Sequence, residues 1–369
     1  MQNDMITTNT NNLKKKQKLT PKTLGIAVIG CGYWGKHYVR ITNQLRDVNC
    51  VVVCDQSLEA LEKIKKQYVN IETTTSVESV CKNNNVDAVI IVVPATYHKL
   101  VTIQCLKAGK HVLVEKPLTT NVQDGEEVVT LAKQMNKKLL VGHTFLYNDR
   151  VKMVKEILEK KTLGPIHTMY AQRTNLGPVR NDTSVLWDLA PHDISIFQYL
   201  TNGVLPTKVS ANGSCILPSS QHVDVAFITL YYPNNLIGNI HVSWLDPHKV
   251  RTVTLVTNKA RLLIDDVNNT EPVRIFYKQS VDDVENDMMK SSSTTTAIPS
   301  VPYSFRDGEI SSPPVKQSEP LTNQVLDYID CCLNNMKQPV SDGKLGLDVV
   351  KILSAAEESI KNFGASVEL

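Results

Sequence analysis

From Leu24 to Val141, short β-branched apolar runs alternate with amphipathic stretches. The runs are LGIAVI (24–29), VVVC (51–54), DAVIIVV (87–93), HVLV (111–114) and KLLVG (138–142). Between them, apolar positions recur with helical spacing over 36–46, 57–68, 97–108 and 121–135. Strands this uniformly apolar are buried on both faces, as in a parallel sheet covered by helices. The alternation predicts a doubly wound α/β unit.

After Arg150 the rhythm changes. A helix over 151–160 leads through Gly164-Pro165 into a strand at 166–173, and a second helix is predicted near 191–200. Six strand-like runs follow between Lys208 and Tyr277: KVSANGSC, VAFITLYY, LIGNIHVSW, RTVTLVT, RLLIDD and VRIFY. Short turns such as Pro233-Asn234-Asn235 separate them, which predicts a large open, mostly antiparallel sheet. Residues 279–318, rich in Ser, Thr, Pro and acidic groups, read as a long exposed loop, and helices over 320–334 and 345–362 close the chain. The expected organisation is a polar tail (1–20), a dinucleotide-binding unit (21–147) and a substrate-binding and oligomerisation α/β unit (148–369).

Composition narrows the class. Of 369 residues 42% are hydrophobic and 21% charged, the mixture of a globular protein, and no apolar run is long enough for a membrane span. The net charge of +3 is matched by the tail alone, where Lys14, Lys15, Lys16 and Lys18 face only Asp4. The rest is near neutral, so no nucleic-acid footprint is expected. The tail lacks an apolar core, unlike a signal peptide, and reads as disordered. Eight cysteines lie outside C-x-x-C pairs and zinc-type clusters, so no metal is expected and free thiols in the cytoplasm are the default.

The first strand runs into Gly30-Cys31-Gly32-Tyr33-Trp34-Gly35, followed by a helix. A lone G-x-G-x-x-G is weak evidence, but strand–turn–helix context gives it meaning. Gly30 suits the tight turn, Gly32 lets backbone approach a pyrophosphate, and Gly35 permits close helix–strand contact. Asp55 stands twenty residues on, at the end of the second strand, where a carboxylate accepts both adenosine ribose hydroxyls. It would repel a 2′-phosphate, and Gln56 and Ser57 supply no compensating cation, so NAD is the expected cofactor.

Glu115-Lys116-Pro117 follows the fourth predicted strand at its C-terminal end, where open α/β sheets bind ligands. A lysine there can donate to a reacting sugar oxygen and steady developing negative charge. The second cluster is Trp187-Asp188-Leu-Ala-Pro191-His192-Asp193. With Pro191 read as the first turn of a helix, His192 lies at a helix N-terminus, whose dipole favours the neutral imidazole. Asp188 pulls the other way, so the net direction stays open.

GCGYWG, EKP and the D-x-x-x-H of WDLAPHDI, with VVPATYH (92–98) and VGHTFLYN (141–148), resemble the glucose–fructose oxidoreductase/inositol dehydrogenase/MocA family. The likeness runs from about Leu24 to Phe363. It implies a Rossmann domain plus an open-sheet α/β domain whose exposed face joins subunits into a homodimer or homotetramer. It also implies catalysis by Lys116 and His192 with Asp188 as partner. The implied cofactor cradle adds Tyr33, Trp34, Pro94, Thr96, His98, Glu115 and Lys116 to the glycines and Asp55. HTFLYN, RTNLG (173–177), WDLAPHDIS and HVSWLDPHKVR (241–251) are similar to the sugar-nucleotide 3-dehydrogenase branch. That likeness implies oxidation of a hexose C3 hydroxyl, on a substrate such as UDP-N-acetylglucosamine, to a 3-keto sugar for later amination.

Tyr147, Arg173, Asn175, Asp188 and His192 are the candidate substrate contacts. Arg173, Arg180 and Lys249 are candidate cations for a diphosphate, though each could equally be a solvated charge. Asn175 could bond the sugar or only cap the following turn. Two other readings stay open: a dehydrogenase of a free polyol or monosaccharide, and a non-catalytic NAD-sensing regulator. Having both Lys116 and His192 argues against the regulator.

Overall fold

A computed structural model describes residues 23–46, 48–217, 222–278, 307–334 and 336–369. The expected tail and most of the 279–318 loop lie outside the described residues. The first sheet contains β1 (Leu24–Ile29), β2 (Val48–Cys54), β3 (Glu72–Thr74), β4 (Ala88–Ile91), β5 (His111–Glu115) and β6 (Leu139–Gly142). Its order is β3-β2-β1-β4-β5-β6 and every pair is parallel. The strand order reverses between β1 and β4, which opens a crevice at the strands' C-terminal ends. The β1, β4 and β6 side chains are all buried, as the unbroken apolar runs require.

Helices α1 (Gly35–Gln44), α2 (Leu58–Gln67), α3 (Val77–Lys82), α4 (His98–Lys107) and α5 (Val122–Gln134) belong to this half. The sequence reading missed β3 and α3. Both are short, and α3 carries one buried side chain, Val80, too little for a helical period to stand out.

The second sheet has nine strands in the order β14-β13-β12-β11-β7-β10-β9-β8-β15. They are β7 (Ile166–Leu176), β8 (Lys208–Ser214), β9 (Val225–Tyr231), β10 (Ile237–Ser243), β11 (Leu245–Thr257), β12 (Ala260–Asp265), β13 (Val273–Lys278), β14 (Asp307–Ser311) and β15 (Val367–Glu368). All neighbours are antiparallel except β7 and β10. The molecule is thus α/β, a parallel Rossmann sheet beside a mostly antiparallel one. The expected loop over 279–318 is corrected at its end, because β14 pairs with β13 as an edge strand.

One face of this sheet is covered by α6 (Asp149–Glu159), α7 (Val185–Leu200) and α9 (Gly343–Lys361), and α8 (Pro320–Leu333) lies near α1. The C-terminal helices also complete the first half. Ser341 Oγ donates to the Val141 carbonyl at 2.7 Å, and the Tyr328 hydroxyl donates to the Val89 carbonyl at 3.1 Å. Leu347 and Val350 of α9 join the apolar core of β4, β5 and β6.

The helix near 191–200 begins six residues earlier than expected. Ser184 caps it, accepting from the Trp187 amide, and Pro191 lies inside. Val185, Leu186 and Ala190 are buried and hold this extra stretch in place. His192 therefore lies two turns into the helix and receives nothing from the N-terminal dipole, which fades within the first turn.

Candidate active site

A cavity of about 1840 Å³ opens along the ends of β1, β2, β4 and β5 and continues to α7 and the second sheet. That exceeds the roughly 300–1,000 Å³ of a single small-ligand site and leaves room for a dinucleotide and a second molecule. At one end the glycine turn forms its wall. Gly30 has φ +93°, and a Cβ there would stand 2.5 Å from the Val92 carbonyl oxygen. A Cβ on Gly35 would stand 1.9 Å from the Gly30 carbonyl oxygen. The fold itself demands these two glycines. Gly32 differs: among the described residues, apart from its chain neighbours, nothing lies within 4 Å of its Cβ position, so the space it leaves belongs to the cavity.

The α1 N-terminus behind the turn has no side-chain cap and no acidic residue, which leaves its amides for an anion. Asp55 Oδ2 accepts from the Cys31 amide at 2.7 Å and Oδ1 from the Ser57 amide at 2.8 Å. Two backbone donors thus fix the carboxylate on the cavity wall. Tyr33, Trp34, Pro94 and Thr96 line the same space, with Tyr33 75% and Trp34 52% exposed. These groups fit a dinucleotide: an amide cradle for the pyrophosphate and a carboxylate for the ribose.

His98, also on this wall, has both nitrogens occupied. Nδ1 is 2.7 Å from the Pro117 carbonyl and Nε2 is 3.0 Å from that of Val93. It ties the β4 and β5 loops together. Glu115 accepts from the Tyr38 hydroxyl at 2.6 Å and from the Lys116 amide at 3.1 Å. Burial lifts its pKa above the usual carboxylate range, against the pull of Tyr38 and Lys116.

Lys116 extends from the end of β5 to α7, where Nζ donates to the Asp188 carbonyl at 2.7 Å and to Asp188 Oδ1 at 3.1 Å. Arg180 Nη1 reaches the same oxygen at 3.3 Å. Asp188 thus bonds Lys116 and Arg180, and His192 is not among its hydrogen-bond partners. His192 lines the cavity one turn along α7, with Phe145 edge-on at 4.8 Å between ring centres. The residue is half-buried, and Nδ1 is buried without a partner among the described residues. Desolvation, and then the positive charges of Lys116 and Arg173, push its pKa well below the usual value. The shift is thus downward, and its cause is desolvation rather than a helix dipole.

Three expected substrate contacts have other work. Arg173 is 4% exposed and forms a two-pronged pair with Asp193, Nε–Oδ2 and Nη2–Oδ1 both 2.9 Å, over the Phe145 ring. It borders the cavity with its charge already matched. Tyr147 is outside the cavity lining, and its hydroxyl donates to Asp327 Oδ2 at 2.8 Å. Asn175, also outside, donates to the Gly177 carbonyl at 2.6 Å and fixes the turn. Lys249 is exposed and off the cavity.

The sequence reading passed over Arg251 and His143, although both stood in quoted motifs. Arg251 lines the cavity, and its Nε is buried without a partner among the described residues. His143 is fully buried with both nitrogens unpartnered among those residues. Burial and nearby Lys116 hold its pKa at about 3.

Residues 24–143 match the oxidoreductase family, NAD-binding Rossmann fold, and residues 151–263 match the GFO/IDH/MocA C-terminal domain. The chain belongs to the Gfo/Idh/MocA oxidoreductases. It is 24% identical to the myo-inositol 2-dehydrogenase of Thermotoga maritima over 67% of this chain and 77% of that protein. Its 28% identity to the inositol 2-dehydrogenase of Rhodococcus jostii spans 48% of this chain and 50% of that one. Among solved structures, the UDP-N-acetylglucosamine 3-dehydrogenase GnnA of Acidithiobacillus ferrooxidans superposes with a TM-score of 0.76. That pair is 21% identical, covering 92% of this chain and 98% of GnnA. GenD2 from gentamicin A biosynthesis, solved with NAD, gives 0.77 at 20% identity over 94% and 97%. The chain is therefore an oxidoreductase whose Rossmann domain is the NAD-binding part, and its named relatives include dehydrogenases of inositol hydroxyl groups.

Proposed function

We propose that this enzyme oxidises the C3 hydroxyl of a nucleotide-linked amino sugar such as UDP-N-acetylglucosamine, with His192 as general base and Lys116 as hydrogen-bond donor to the reacting oxygen. The observation that carries the catalytic assignment is their convergence. A neutral imidazole and an ammonium meet on one cavity wall, and the cavity continues to the glycine turn and Asp55. Bound NAD supplies the hydride acceptor. His192 takes the hydroxyl proton. Lys116, held by Asp188, donates to the oxygen as negative charge builds on it. The cations that keep the imidazole neutral are the same ones that favour the alkoxide.

Glycine turn, α1 N-terminus, Asp55, Tyr33, Trp34, Pro94, Thr96, Glu115 and His98 form the NAD site, with His98 acting through the Pro117 and Val93 carbonyls. Support for a nucleotide-linked substrate comes from the cavity's size, from Arg251 on its wall with its buried Nε unpartnered among the described residues, and from the overall likeness to GnnA. A free polyol or monosaccharide is favoured instead by the matched charge of Arg173 and by the inositol dehydrogenase relatives. Incubation with NAD and a panel of UDP-sugars, dTDP-sugars, myo-inositol and glucose, followed by mass spectrometry of products, separates the two. Turnover of free polyols alone would overturn the nucleotide-sugar reading. The eight unbridged thiols support a reducing, cytoplasmic setting. The open face of the second sheet supports a homodimer or homotetramer.

A further inference from the structure

Two cysteines outside the chemistry face each other beneath the adenosine end of the cavity. Cys81 lies near the end of α3 and Cys105 in α4, with their Sγ atoms 3.9 Å apart. We propose that Cys81 and Cys105 form a reversible disulfide that draws α3 toward α4 and weakens NAD binding.

The two thiols are placed for different roles. Cys81 is partly exposed and Cys105 fully buried, so a reagent from solvent reaches Cys81 and leaves Cys105 to resolve the product. Lys110 Nζ donates to the Asn83 and Val86 carbonyls at 2.9 and 2.7 Å, which brings an ammonium beside the end of α3. The hydrogen bond between the two thiols, and in smaller part the charge of Lys110, lowers the Cys81 thiol below its usual value despite partial burial. Burial instead raises Cys31, Cys50, Cys54, Cys331 and Cys332. A thiolate is the attacking form, so Cys81 stands apart from those five.

The link to NAD is geometric. Val77 lines the cavity and lies four residues before Cys81 on α3, while Val101 lines it and lies four residues before Cys105 on α4. Each cysteine thus shares a helix face with a cavity-wall residue one turn away. Thr75, Gln104 and Asp55 complete that end. Closing the sulfurs from 3.9 Å to about 2.05 Å shifts both helices where they bound the nucleotide. By linkage, bound NAD must oppose the disulfide by the factor through which the disulfide opposes NAD.

With hydrogen peroxide as oxidant, the Cys81 thiolate attacks one peroxide oxygen. An S–O bond forms, the O–O bond breaks and hydroxide leaves. Cys105 sulfur then attacks Cys81 sulfur, forming S–S and breaking S–O, and its proton departs with the second oxygen as water. The hydroxide takes up the proton that Cys81 released on ionising, so two thiols lose two electrons and the peroxide becomes two waters.

The full chain, reduced and then exposed to hydrogen peroxide, should give a Cys81–Cys105 linked peptide on non-reducing mass mapping, reversed by dithiothreitol. The oxidised protein should bind NAD about fivefold or more weakly in calorimetric titration, and saturating NAD should slow the crosslink. Cys105→Ser should leave a sulfenic acid on Cys81 that dimedone traps, and Cys81→Ser should abolish the loss of NAD affinity. Oxidation that modifies exposed Cys215 without a Cys81–Cys105 peptide in the wild type would overturn the proposal. So would a complete crosslink with unchanged NAD affinity.

Discussion

At the scale of single residues, burial and charge set the chemistry more than position along a helix does. The His192 pKa is pushed well below the usual value by desolvation and then by the charges of Lys116 and Arg173. An unperturbed imidazole titrates near about 6.5. With its folded pKa well below that, kcat/KM should stay flat as pH falls through the normal imidazole range and drop only further down. The sign for stability follows: the unfolded chain takes up the proton first, so His192 and His143 cost stability as pH falls below the imidazole range. For His143 the loss continues down to about 3. A kcat/KM profile breaking at the ordinary imidazole value would contradict this environment for His192. Replacing His192 with Asn should lower kcat by about 10²–10⁴-fold while leaving NAD affinity intact, as measured by steady-state kinetics and calorimetry. Gly32 offers a complementary test. Because nothing in the protein occupies its Cβ position, Gly32→Ala should change stability by less than about 0.5 kcal/mol in urea unfolding. The same change should weaken NAD roughly tenfold or more, since the methyl enters space that the pyrophosphate needs. Asp55→Ala should narrow the preference for NAD over NADP by removing a charge that repels a 2′-phosphate, and equal kcat/KM for both cofactors in the wild type would refute the role of Asp55.

At the scale of elements, legibility followed hydrophobic repetition. The buried strands β1, β4, β5 and β6 announce themselves because both faces are apolar, and the Gly30–Gly35 turn because it joins the first of them to a helix. Lys116, Asp188 and His192 were readable as candidates from motif and position, but their pairing was not. A sequence places Asp188 and His192 one turn apart without showing that Lys116 arrives from β5 to occupy the carboxylate. The start of α7 was misread because Pro191 resembles a first-turn proline, whereas Ser184 and the buried Val185, Leu186 and Ala190 set the true boundary. Arg173 and Tyr147 were assigned to substrate because a chain cannot show that Asp193 and Asp327 meet them first. The seating of α9 on β6 is equally invisible in one dimension. A Cβ on Gly346 would stand 2.4 Å from Val141 Cγ2, and one on Gly343 2.6 Å from Leu139 Cδ2. These glycines let the helix sit flush on the strand that leads to His143. Gly346→Ala should therefore destabilise the protein by about 1–3 kcal/mol in urea unfolding, through overpacking against a stiff β-branched neighbour. A neutral effect would show that the contact is loose.

At the scale of the whole molecule, the second sheet is asymmetric in its cover. Residues of β7 alternate: Met169 and Ala171 face the helices and are buried, while Tyr170 between them is 47% exposed. β9 repeats the pattern, with Ala226, Ile228 and Leu230 inward and Phe227 54% exposed. Phe227 stacks on His241 of β10 at 4.3 Å between ring centres, which extends the same outer face across neighbouring strands. Thr229 and Asn239 are hydrogen-bonded there, so around Phe227 the face mixes aromatic rings with neutral polar groups, while Arg261 and Arg274 flank Phe276 farther along it. That composition suits association between folded subunits: aromatic groups are enriched in interfaces and charged ones depleted at their centres. A closed two-fold contact would place this face against its own copy, covering the rings on both subunits at once. The full chain should accordingly run as a dimer or tetramer in sedimentation velocity at micromolar concentration. The double variant Tyr170→Asp and Phe227→Asp would bring like charges together across such a contact and leave the inward side chains untouched. It should shift the protein to monomer while thermal unfolding of the isolated subunit remains cooperative and NAD still binds, because the glycine turn and Asp55 lie in the other sheet. An unchanged oligomer in that variant would place the contact on a different face, and a monomeric wild type would remove the proposed assembly altogether.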